Sequence, residues 1–203
     1  MRIATAKDKH LLCDILSEAF SKNPSVNWVV GNKPNKELRI KTLVEYSVSK
    51  GLREGTALIS DNEKGAALYF LPNHSKFSFS EIWWQVILAF KVIGIFRVSE
   101  ILKRESFIKK QKLQIPHIYF WYLGVQSDTR DGKASRELRD NVFQVADQKQ
   151  LPILVETSEP RNIITYERMG FKTYFEWEVP AKDMTIWFMK RENPSLRGTT
   201  QSL

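Results

Sequence analysis

Residues 118–138 read IYFWYLGVQSDTRDGKASREL. An apolar run closes at Leu123-Gly124-Val125, a polar stretch follows, and a helical pattern begins near residue 134. In that helix Leu138, Val142, Val145 and Ala146 form one stripe, with Arg136, Glu137, Asp140 and Lys149 elsewhere. LPILVE at 151–156 is a second buried strand. Residues 117–156 therefore predict a strand–helix–strand unit with a parallel pair, because antiparallel neighbours need no helical crossover. The turn into the helix suits an anion, since free first-turn N–H groups and the positive end of the helix dipole meet there. Phosphate loops usually carry several glycines. Here only Gly132 is present, between Asp131 and Lys133. Taken alone, the loop is either an anion cradle or a plain turn.

Upstream of this unit, residues 2–5 predict a short strand. Leu11, Leu12, Ile15, Leu16, Ala19 and Phe20 recur at helical spacing until Asn23-Pro24 stops the pattern. A second helix is expected from about Asn35 to Arg53, and two strands at 56–60 and 65–71 form a hairpin across Asp61-Asn62-Glu63-Lys64. Residues 79–112 predict two helices, an apolar one and a basic one, SEILKRESFIKKQK, whose charges read as a solvated face. Downstream come a short helix at about 160–168, closed by Gly170, and two more strands. FKTYFEWEV places Phe171, Thr173, Phe175, Trp177 and Val179 on one face, and TIWFMK at 185–190 is the last strand. A single α/β domain over 1–190 is expected, with a polar, frayed tail at 191–203.

Composition narrows the partners. Hydrophobic residues make up 42% and the net charge is +8, which supports a substantial core and favours anionic partners without choosing among them. The cations are spread and no nucleic-acid motif appears, so no specific nucleic acid is expected. One cysteine, Cys13, permits no intrachain disulfide, and MRIATAKDKH lacks a signal-peptide core; both fit the cytoplasm. The run IWWQVILAFKVIGIF at 82–96 is shorter than the roughly 20 residues of a spanning helix and carries Lys91. Of a membrane span, a membrane-surface contact and a buried helix lining a cleft, the buried helix is the default, and no stable membrane insertion is expected.

VETSEPRNIITYERMGF sharpens the reading of the loop. A buried strand ends in Glu156-Thr157, and Asn162 and Tyr166, four apart, share one helix face that points back toward that strand end. A phenol there, with a reference pKa of about 10, suits donation of a proton to a leaving group; an ordinary half-buried tyrosine is the other reading. Asn162 is otherwise a cap or turn residue.

Together these residues resemble the GNAT superfamily of acyl-CoA-dependent N-acetyltransferases. The strand ending Leu-Gly-Val, the loop and helix, the strand ending Glu-Thr, then Asn, Tyr-Glu-Arg and Gly-Phe are similar to a bacterial and fungal subgroup. About a third of the chain carries these motifs; the rest agrees in element order. The resemblance implies a mixed, strongly twisted central sheet of about 6–7 strands flanked by helices, with a helical insertion at about 79–112.

It also implies acetyl-CoA as cosubstrate, no metal, and a small-molecule or peptide amine acceptor attacking the thioester directly. The pantetheine would pair with Leu123, Gly124 and Val125 between two splayed strands, and Asn162 would hold its arm. The pyrophosphate would meet the N–H groups of Arg130, Asp131, Gly132, Lys133, Ala134 and Ser135. Tyr166 would protonate the departing thiolate. Glu156 is either the base or a structural strand-end residue. His117 lies at the far end of its strand, and His74 lies near the acceptor side or on the surface. Trp28, Trp83, Trp84 and Phe90 either shape the acceptor side or pack the core.

The loop departs from the subgroup's pattern at one position. Without gaps, Arg130 takes the usual Gln/Arg place and Ser135 the final Gly/Ala, but Lys133 takes the first glycine. If that position needs φ > 0, lysine costs about 1 kcal/mol or more, unless Gly132 takes the turn instead. A degenerate GNAT-like domain without CoA binding would follow if Lys133 blocks the loop.

Overall fold

The computed structural model describes residues 1–32, 34–72, 79–129, 132–180 and 183–193. His74, Arg130, Asp131 and the tail from 194 onward lie outside them. Among the described residues, seven strands form one sheet in the order β1-β2-β3-β4-β5-β7-β6. They are β1 (Arg2–Ile3), β2 (Ala57–Ile59), β3 (Gly65–Phe70), β4 (Ile118–Val125), β5 (Ile153–Thr157), β6 (Phe171–Glu178) and β7 (Thr185–Arg191). Of these pairings, β4 with β5 is parallel and the others are antiparallel.

The helices are α1 (Lys9–Phe20), α2 (Pro24–Val30), α3 (Lys36–Glu54), α4 (Phe79–Ile87), α5 (Val98–Gln111), α6 (Lys133–Lys149) and α7 (Pro160–Arg168). A π-helical turn, Leu88–Ile93, continues α4. Helix α2 departs from the sequence expectation, in which Asn23-Pro24 only stops α1. The same pair starts the next helix: Asn23 Oδ1 accepts from the Val26 N–H at 3.1 Å, and Pro24 takes the first turn, where no N–H is needed.

Helices cover both sheet faces. On one, Leu12, Ile15 and Leu16 of α1 and Val44 and Val48 of α3 pack on Ala66 and Leu68. On the other, Leu138, Val142 and Ala146 of α6 pack on Ala67, Ile118 and Ile153. Each helix presents an apolar stripe and β3 alternates between the faces, so burying both stripes fixes the sheet between two helical layers. Close approach leaves no room at Gly124, where a Cβ would stand 2.7 Å from that of Ala19.

Two irregularities depart from simple alternation. The β3–β4 register slips between Leu68 and Tyr69, leaving Trp121 as an extra residue on β4. Phe120 therefore belongs to the α6 side and Tyr122 to the α1 side. A second bulge, at Tyr174, splits the single face expected for 171–179: Phe171 joins the α6 cluster, while Phe175 and Trp177 pack with Phe188 and Ile186 on a third. One extra residue exchanges the faces of everything beyond it.

Two other expectations need correction. Segment 82–96 is not a buried helix. Gln85, Leu88, Ala89 and Ile93 face a cavity, but Trp83 and Phe90 are each 65% exposed and Phe96 is 95% exposed. The apolar run exceeds what one packed face can cover. The tail also starts later than residue 191: Asn193 is fully buried and its Nδ2 donates to the Ala146 carbonyl at 3.0 Å. Among the described residues, no helix is long and apolar enough to cross a membrane.

Candidate active site

The bulge at Trp121 sits where the middle of the sheet comes apart. Strands β4 and β5 pair only at Ile118↔Ile153 and Tyr119↔Leu154, then separate. A bulge bends its strand, and this one falls where the parallel ladder ends. Beyond it, β4 keeps β3 on one edge and β5 keeps β7 on the other. The facing edges of Phe120–Val125 and Val155–Thr157 thus enclose a wedge inside the sheet, without a ladder between them.

A cavity of about 820 Å³ opens at this wedge. Leu123, Glu156, Asn162 and Tyr166 line it, so the structure brings these predicted residues together. Gly124 and Val125 sit on the unladdered edge of β4, with Gly124 turned toward α1. Asn162, in the first turn of α7, donates from Nδ2 to Thr157 Oγ1 at 3.3 Å, which ties the helix to the end of β5. Tyr166, one turn further, stacks edge-on against Phe171 with centroids 5.3 Å apart. Burial pushes its phenol up to about 12, so it holds its proton throughout the physiological range.

Glu156 is not a solvated carboxylate. Burial raises it above the ordinary carboxylate range, partly opposed by Lys112, whose ammonium lies 3.0 Å from Oε1. That contact is ionic rather than directed: Oε1 is buried and accepts no well-aligned hydrogen bond. Lys112 also rests over the Tyr119 ring, 3.5 Å from its centroid. The basic helix is therefore not wholly a solvated face. Ile101, Arg104, Glu105, Ile108 and Lys112 line the cavity at helical spacing, while Lys103, Lys109 and Lys110 are exposed. Arg104 is 8% exposed and bonds Glu105 and Ser25. The clue in the sequence was the 3.6-residue period, hidden by the density of charge.

The cavity's aromatic wall is also not the one expected. Tyr46, Phe70, Tyr119 and Trp121 line it. Trp83 and Phe90 face outward, Trp84 leans on Tyr46, and the guanidinium groups of Arg97 and Arg104 lie 5.4 and 5.0 Å from the centroid of the Trp28 ring. His117, just before β4, has its Nδ1 2.6 Å from the Ile115 carbonyl and lies outside the cavity lining.

At the predicted phosphate loop, Gly132 takes the left-handed conformation, φ 61° and ψ 9°, as N-cap of α6. Lys133 is the first helical residue and has no positive φ. The glycine one place early takes the turn, so the conformational cost that would make the domain degenerate does not arise. Ser135 Oγ donates to the Gly132 carbonyl at 2.9 Å, and the Arg136 N–H bonds the same carbonyl. The N–H groups of Ala134 and Ser135 precede that first helical bond and have no carbonyl within the helix to meet. The loop's start is held by Ser127, which donates through both N–H and Oγ to Glu18.

No family model matches the chain. An uncharacterised N-acetyltransferase of Schizosaccharomyces pombe is 25% identical over 180 residues, covering 82% of this chain and 71% of the relative. A Corynebacterium glutamicum protein solved as "histone acetyltransferase HPA2 and related acetyltransferase" superposes with a TM-score of 0.69 at 18% identity, over 95% of this chain and 94% of that one. Arylalkylamine N-acetyltransferase 2 of Aedes aegypti gives 0.61 at 14% identity, over 94% and 97%. The polyamine N-acetyltransferase of Drosophila melanogaster gives 0.61 at 14% identity, over 94% and 98%. The chain has the mixed α/β fold of GNAT acetyltransferases.

Proposed function

We propose that this chain transfers an acetyl or related acyl group from acyl-CoA to a primary amine. The wedge between β4 and β5 carries the reading: two unladdered main-chain edges meet at a cavity that also holds a protonated phenol and a desolvated carboxylate. An extended pantetheine fits such a gap as an added strand, taking main-chain bonds from Leu123, Gly124 and Val125. Its pyrophosphate would lie against the first-turn N–H groups of α6 at Ala134 and Ser135, beside the turn made by Gly132. Asn162 would steady the pantetheine arm.

Glu156 receives a proton from the acceptor ammonium, and its raised carboxyl is a better base than an exposed one. A main-chain N–H near Val125 polarises the thioester carbonyl, and the Tyr166 phenol donates to the leaving sulfur. Tyr46, Phe70 and Trp121 give the acceptor side an aromatic wall, which suits a small-molecule or peptide amine with an apolar part. The names of the Aedes and Drosophila relatives, acting on arylalkylamines and polyamines, agree with a small amine. A cytoplasmic location fits a supply of acyl-CoA.

Thermal denaturation with and without acetyl-CoA tests the reading. The melting temperature is expected to rise with acetyl-CoA and with CoA, since a ligand of the folded state stabilises it by mass action. Absence of any shift at millimolar ligand overturns the reading.

A further inference from the structure

We propose that Lys112 is a self-acetylation site of this chain. The inference rests on the acyltransferase function. A transferase of this kind must bring one amine to its base, and the fold already places an amine of its own there. Lys112 ends α5 as its C-cap, and its ammonium enters the cavity to lie 3.0 Å from Glu156 Oε1 and 3.5 Å over the Tyr119 ring. The side chains of Lys112 and Glu156 are 24% and 16% exposed, so the contact is sheltered from solvent. Lys109 and Lys110, three and two residues earlier in the last turn of α5, are exposed and serve as internal controls.

The neighbouring charges leave Lys112 as the cation engaged with Glu156. Arg104 also lies near Glu156, but its two terminal nitrogens bond Glu105 and Ser25. The Lys112–Glu156 contact is an ion pair at 3.0 Å, and a proton transfer from ammonium to carboxylate dissolves it. Lys112 shares the cavity with Asn162 and Tyr166, the residues assigned to the cosubstrate arm and the leaving sulfur.

The chemistry balances with acyl-CoA as the only co-reactant. Glu156 takes one proton from the Lys112 ammonium and passes it to water. The freed lone pair forms an N–C bond to the thioester carbonyl carbon, and the C–S bond breaks. The sulfur takes the Tyr166 proton, and the second nitrogen proton restores the phenol. Ammonium plus thioester gives amide, thiol and one proton.

The experiment incubates the full chain with acetyl-CoA and no added amine, and follows acetyl-peptides by mass spectrometry at several protein concentrations. Lys112 is expected to gain one acetyl group in a first-order process independent of protein concentration, at least about tenfold faster than Lys109 and Lys110. Tyr166→Phe is expected to slow Lys112 alone. Lys112→Arg keeps the charge, loses the modification and keeps the acetyl-CoA thermal shift, which separates loss of the site from loss of fold. Equal rates at the three lysines, or a rate that grows with protein concentration, overturn the proposal. Acetylation of phenethylamine with Lys112 unmodified overturns it alone; absence of an acetyl-CoA thermal shift overturns it together with the transferase function.

Discussion

The two walls of the cavity are built by opposite means. Its sheet wall, from β4, β5 and α7, consists of strand ends and one helical turn whose positions follow from register. Its helical wall, from α4, the π-helical turn and α5, is a segment whose faces are sorted only by what they pack against. On the sheet wall Leu123, Glu156, Asn162 and Tyr166 all meet where the sequence places them. On the helical wall Trp83 and Phe90 turn outward while Arg104 and Lys112 turn in, the reverse of what polarity suggests. A strand end allows two directions for a side chain, and its ladder selects one; an amphipathic helix with ambiguous faces can rotate.

The largest expected effects lie on the sheet wall. Tyr166→Phe is expected to lower turnover by about 10²–10⁴-fold with CoA affinity unchanged, read by steady-state kinetics and calorimetry. Unchanged turnover would remove the phenol from the mechanism. For Glu156 the active form is the ionised one, so activity should rise with pH through a value above the ordinary carboxylate range. Glu156→Gln should lower turnover and erase that acidic limb; a limb that survives belongs to another group.

Stability effects sharpen the same contrast. Leu138 is fully buried where α6 meets the sheet, and Leu138→Ala is expected to cost about 2–5 kcal/mol in denaturant unfolding. Gly124→Ala is next, at about 1–3 kcal/mol, because its new Cβ meets Ala19 at 2.7 Å. A substitution there without cost would mean that α1 slides freely over β4. Gly132→Ala has open space around it, so its expected penalty of about 1–2 kcal/mol is purely conformational. On the outer helical wall, Phe96→Ser should change stability by no more than about 0.5 kcal/mol, since Phe96 is 95% exposed. A larger loss would show that this surface is covered in solution.

The succession of the seven strands, the parallel β4–β5 pair, the helix between them and the meeting of Asn162 with Tyr166 were legible from the chain, whereas helix α2 was not. Each depends on a local period or on chain connectivity, which neighbours in sequence specify. Gly132 was legible as a possible turn residue, but only the backbone shows that it, rather than Lys133, takes the positive φ. The bulges at Trp121 and Tyr174 were not legible, because an extra residue in a ladder is defined by the partner strand and leaves no mark on its own. Nor was the contact of Lys112 with Glu156, a pairing between the end of a basic helix and a strand 44 positions later. Connectivity and periodicity determined the scaffold; cross-strand register and burial competition decided the wedge, the cavity wall and the amine that sits in it.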